Sequence, residues 1–188
     1  MQGFLRILFF LCIAWVSVCP ALAESAGTIE IEQVKVERAE NASHVLTAAC
    51  SLELNSSLEE ALQRGIPLYF TLELEVSRPR WMWFDEKPVS SSRTMRISYN
   101  VLTHQYGVGI VGGLQQYVIS LEEALNRIRR PPAWVIAGKD VLKTGETYFA
   151  EIRIALDLSY LPKPFQVNVI NNRHWQLSSH WKHFSFGA

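Results

Sequence analysis

Alternation of apolar and polar side chains with period two constrains this chain more than any other feature. Leu68, Phe70, Leu72, Leu74 and Val76 alternate with Tyr69, Thr71, Glu73 and Glu75. Leu46, Ala48, Cys50, Leu52 and Leu54 repeat the pattern against Thr47, Ser51 and Glu53. Met95, Ile97, Tyr99 and Val101 continue it, as do Tyr148, Ala150, Ile152, Ile154 and Leu156. Such segments are half-buried strands with one face toward a core and one toward solvent. Near the start the phase changes: Ile29 and Ile31 are odd, Val34 and Val36 even. One extra residue near Glu32-Gln33, a β-bulge, restores a common inward face.

Two short helices interrupt the strands. Both open with the hexapeptide Ser-Leu-Glu-Glu-Ala-Leu, at Ser57–Leu62 and Ser120–Leu125. Ser57 with Glu60, and Ser120 with Glu123, read as capping boxes. Leu58, Ala61 and Leu62 form one apolar stripe; Leu121, Ala124, Leu125 and Ile128 form the other. Gly65 ends the first helix and Pro131-Pro132 the second. Strands with one polar face, covered by two helices, predict a mainly β, antiparallel sandwich-like domain with two short α-helices. The alternative is an α+β arrangement in which one curved antiparallel sheet carries both helices on one face.

The first 23 residues read as an export signal. Arg6 precedes an apolar run from Ile7 to Val18, Pro20 breaks it, and Ala21-Leu22-Ala23 supplies a small-x-small cleavage site. We therefore expect residues 1–23 to be removed after Ala23, leaving one globular domain over 24–188 in the periplasm. The membrane is met only through the signal before cleavage. The whole chain balances 18 Lys+Arg against 18 Asp+Glu, and cleavage removes Arg6 alone. A chain this neutral has no global attraction for nucleic acid. Cys12 and Cys19 leave with the signal, so Cys50 has no disulfide partner; its parity puts it in the core as a small hydrophobe.

No segment carries a recognisable catalytic or cofactor motif. Gly107-Val-Gly109-Ile-Val-Gly112 matches the dinucleotide fingerprint in letters only, because Leu114–Val118 reads as a strand where a helix should open. His174, His180 and His183 lie close together, yet His180 and His183 would point to opposite faces of a strand, and no Cys or carboxylate cluster joins them. Glu59-Glu60 and Glu122-Glu123 are first-turn acids that favour the helix dipole. We expect no enzyme activity, no cofactor and no bound metal.

The aromatic segments are the candidate binding residues. Arg78, Arg80, Trp81 and Trp83 sit in one dense stretch, and Trp175 and Trp181 in a second. Trp and Arg are enriched at protein-binding hot spots. The competing reading is that these rings cap an open end of the sandwich, with arginines stacked on them.

Several stretches resemble a bacterial exported family catalogued as domain of unknown function 4390. They are Ile66-Pro-Leu-Tyr-Phe, Arg78-Pro-Arg-Trp-Met-Trp, Tyr99-Asn-Val-Leu-Thr, Leu161-Pro-Lys-Pro-Phe-Gln-Val-Asn and Trp175-Gln-Leu-Ser-Ser-His-Trp. The resemblance covers nearly all of residues 24–188. It implies a proteobacterial envelope protein whose genes lie near those of a two-component sensor kinase and an rRNA methyltransferase, and supplies no catalytic residues. Independently of the family, the two prolines of Leu161-Pro-Lys-Pro-Phe predict an extended, non-helical segment.

The expected function is therefore a non-enzymatic periplasmic module binding a protein partner in the envelope, with a sensor kinase as the candidate partner. One alternative is a structural or assembly factor that accepts an added strand at an open sheet edge. Another is a small-ligand-binding protein or hydrolase, which would need a deep pocket with convergent polar groups.

Overall fold

The computed structural model describes residues 27–79, 86–169 and 172–188. The alternating segments become strands, and all pair antiparallel. In chain order they are β1 (Thr28–Arg38), β2 (His44–Glu53), β3 (Leu68–Arg78), β4 (Glu86–Asn100) and β5 (Gln105–Ile110). Then follow β6 (Gln115–Val118), β7 (Trp134–Ala137), β8 (Thr147–Leu156) and β9 (Lys182–Gly187). Among the described residues three α-helices join them: α1 (Ser56–Gln63), α2 (Leu121–Arg129) and α3 (Lys163–Val169).

The strands form two sheets, so the single curved sheet is not what forms. One has three strands in the order β1-β2-β7; the other has six in the order β6-β5-β4-β3-β8-β9. Across the interior β1 meets β8 and β9, β7 meets β4, and α2 meets β2, β5 and β6. The smaller sheet and α2 thus together cover the larger sheet. The core lies between these layers and contains Leu52, Phe70, Leu74, Ile97, Ile128 and Ile152, all essentially inaccessible to water. Each such side chain contributes about 1.5–3 kcal/mol by leaving water.

The parity of β2, β3 and β8 is as the alternation predicts, with the apolar set inward. The phase change in β1 is a bulge. Ile31 faces Cys50 and Gln33 faces Ala49, so Glu32 is the extra residue that turns Val34 and Val36 inward. The pattern in β4 stops sooner than expected: β4 ends at Asn100, and Val101 is exposed in the following turn. The glycines after it make a hairpin strand. A Cβ at Gly109 would lie 2.5 Å from the backbone oxygen of Leu114, so β5 and β6 come together only where that atom is missing.

The helix ends show two agreements and two corrections. Ser120 caps α2, its side chain accepting from the Glu123 N–H at 3.1 Å. The cap of α1 is Asn55 rather than Ser57: its Oδ1 accepts from the Leu58 N–H at 2.9 Å, and the helix has begun by Ser56. The shared hexapeptide therefore enters its two helices at different positions. Gly65, at φ +85°, closes α1 in a Schellman motif, with Gly65 N–H on the Leu62 carbonyl and Ile66 N–H on that of Ala61. The second correction is α3, a short helix where an extended segment was expected. Pro162 precedes it and Pro164 falls in its first turn, where no residue's N–H has an intrahelical partner to lose.

Candidate functional site

Arg80, Trp81 and Trp83 lie outside the described residues. The other three candidates are engaged by the fold. Arg78, near the end of β3, bonds Glu86 at 2.5 Å and faces Glu146 at 3.7 Å. Trp175 is buried, with 8% of its surface exposed, in the 3-10 turn Arg173–Trp175. It is a core residue, not a displayed ring. The adjacent residue explains why: His174 offers its carbonyl to the Asn55 side chain, which draws this turn against the start of α1. Trp181 is half-buried, and the Arg153 guanidinium lies 4.6 Å from its ring centre while also bonding Glu73 at 2.7 Å. That stack occupies the face a partner would use. These three residues do not form one surface.

Several titratable groups are likewise engaged. Cys50 points inward from β2, and its thiol can donate to the backbone oxygens of Ile128 or Arg129, each 3.6 Å away. Burial, with Glu32 adding to it and Arg129 opposing it, pushes its pKa up to about 11. The thiol thus stays protonated and is no nucleophile at neutral pH. The C-terminal histidines are separate, His180 on Glu30 at 3.0 Å and His183 on Glu151 at 3.5 Å. A depression of about 490 Å³ on the outer face of the larger sheet is lined by Glu75, Lys87, Glu151 and His183. Within it Lys87 bonds Glu75 at 2.5 Å, and His183 lies 3.5 Å from Glu151.

The conspicuous free surface is the edge formed by β6. This strand pairs with β5 on one side and ends the six-stranded sheet on the other. With its flanking residues Leu114 and Ile119 it reads Leu-Gln-Gln-Tyr-Val-Ile, with no charge. Leu114 is 93% exposed, Ile119 82% and Tyr117 62%. Val101 and Leu102 in the turn before β5, and Val111 in the turn after it, are exposed too.

The other sheet edges are protected. The β1 edge carries Glu30, Glu32, Lys35, Glu37 and Arg38. Lys182 of β9 reaches across to the carbonyls of Ile31 and Glu32 at 3.1 and 2.8 Å, tying two edges together. The short β7 lies between Pro131-Pro132 and Lys139, with three of its four residues buried. Charge and proline are two usual ways of blunting an edge, and β6 carries neither; α2 packs on its inner face.

The family model for a domain of unknown function, DUF4390, matches residues 26–185. The chain belongs to the DUF4390 family. That match runs from the residues before β1 into β9, so it spans both sheets, all three helices and the β6 edge. No curated protein and no solved structure matches the chain. The DUF4390 family brings no assigned site, so the edge rests on its own geometry. Sequence reasoning read Leu114–Val118 as a strand; its lack of charge was the available signal.

Proposed function

We propose that the chain is an exported, non-enzymatic module that docks a protein partner along the free edge of β6. The observation that carries this reading is the uncharged edge with Leu114, Tyr117 and Ile119 standing in water, while the remaining edges are blunted. An incoming extended segment would satisfy the unpaired backbone groups of β6 and cover those side chains, which is strand addition. The buried, protonated Cys50 and the mutually paired outer-face charges support a role in binding rather than catalysis. Export rests on the charge, apolar run and cleavage site of residues 1–23. An envelope protein is the partner this location favours, and a membrane sensor kinase is the candidate the family resemblance adds.

Site-specific photocrosslinking in cells tests the reading. A benzophenone side chain at Tyr117 should give one discrete adduct in the envelope. The same group at Lys35, on the charged β1 edge, should not. Adding Gln115→Lys should remove the adduct while leaving the thermal unfolding curve in place. Equal adducts from both positions, or an adduct indifferent to Gln115→Lys, would show that β6 is not the docking edge. A deletion strain then separates two uses of such docking: an assembly factor gives a permeability defect, a kinase accessory gives altered transcription behind an intact barrier.

A further inference from the structure

Beside the β6 edge lies a groove of about 330 Å³ between α2 and the β5–β6 hairpin. Its floor includes the buried Val108 and Ile128, and Ile110 and Leu114 add apolar wall. Two exposed arginines, Arg127 and Arg130, complete the lining. Arg127 makes an i,i+4 pair with Glu123 at 3.3 Å. The Arg130 side chain has no hydrogen-bond or ion-pair partner among the described residues. Glu32 and Glu53 border the neighbouring depression, which Arg130 also lines, without pairing to it. Third in the series, Arg129 is turned away, bound to Glu122 and to the Leu52 carbonyl.

We infer that this groove binds a single-chain anionic amphiphile, a free fatty acid, with its tail on Val108, Ile110, Leu114 and Ile128 and its carboxylate on Arg130 and Arg127. The volume lies at the low end of the range for small-molecule sites, about 300–1,000 Å³, which suits one acyl chain. Guanidinium and carboxylate match in geometry as well as charge, and a free guanidinium at the rim of an apolar slot leaves that place open to an anion. The inference stands apart from the docking of a protein on β6, although Leu114 borders both surfaces.

Titration calorimetry of the protein without its signal, with octanoate, decanoate and dodecanoate below their micelle concentrations, tests it. Dodecanoate should saturate at one per chain. Each buried methylene should tighten binding up to about fourfold, so each two-carbon step should be worth roughly tenfold. Arg130→Gln should weaken dodecanoate at least tenfold, and Leu114→Asp, at a position already in water, should abolish binding without shifting thermal unfolding. Dodecyl maltoside, with the same tail and no charge, should bind at least tenfold more weakly. Absence of a saturating isotherm, or one indifferent to Arg130→Gln or to the head group, overturns the inference. Adsorption to phosphatidylglycerol vesicles without dodecanoate binding overturns it in favour of a lipid surface. Photocrosslinking at Tyr117 is read separately, so either result leaves the other standing or falling alone.

Discussion

Asn55 and His174, far apart in sequence, are joined by one side chain: Asn55 Nδ2 donates to the His174 carbonyl at 2.7 Å. The oxygen of the same amide caps α1 by accepting from Leu58 N–H at 2.9 Å. One buried group thus starts a helix and fastens the C-terminal turn that buries Trp175. Asn55→Ala loses the cap, worth about 1 kcal/mol, and the part-buried hydrogen bond to the His174 carbonyl, worth about 0.5–1.5 kcal/mol. Chemical denaturation should show a loss of roughly 1.5–2.5 kcal/mol. Asn55→Asp keeps the cap but not the donor, and should recover only part of that loss.

A second tie joins α2 to β2. Arg129 places Nε and Nη2 at 3.0 and 2.7 Å from the Leu52 carbonyl oxygen. Hydrogen bonds from a charged donor are worth about 1.5–3 kcal/mol. Arg129→Ala should lower stability by about 2 kcal/mol in urea unfolding. Arg129→Lys should lie between, because an ammonium cannot present the same fork.

Cys50 should behave as packed core. Cys50→Ala should cost about 1 kcal/mol through a small cavity, and Cys50→Asp should unfold the domain, because a carboxylate would enter the core without a partner. The folded thiol titrates at about 11 against 9.0 for the ordinary group. Stability from this site is full below pH 9 and is lost as pH rises from 9 toward 11, where the unfolded chain gives up its proton first. Unfolding midpoints of wild type and Cys50→Ala should therefore converge over that range. Fast labelling of the native protein by a charged thiol reagent would contradict the buried placement.

His44 gives the opposite pH dependence. It is 3% exposed, neither ring nitrogen has a hydrogen-bond partner among the described residues, and burial with Arg38 nearby lowers its pKa below 6.5. Above pH 6.5 both folded and unfolded chains carry it neutral, and its contribution is full. As pH falls below 6.5 the unfolded chain takes the proton first, so stability declines until the folded His44 also protonates. Circular dichroism melts should show a midpoint falling from pH 6.5 downward, with a shallower fall in His44→Phe.

The strands were legible because one face of each meets a continuous core. That condition sets the parity of Leu68 to Val76 and of Tyr148 to Leu156, and forces the bulge at Glu32. What sequence hid depended on tertiary partners. Asn55 outcompetes Ser57 as a cap because a distant carbonyl holds its amide. Trp175 reads as a surface anchor until the turn after α3 draws it inward. The β6 edge hid for a related reason: Leu114, Tyr117 and Ile119 look like ordinary strand residues, and only the strand order leaves their outer side open.

Amide hydrogen exchange of the domain, alone and in the complex captured from the envelope, tests the docking reading most directly. Strand addition predicts that slowed exchange concentrates at alternate amides between Leu114 and Ile119, with β1 and β9 unchanged. Unchanged exchange along β6, with protection on the outer face around Glu75 and Glu151 instead, would contradict it.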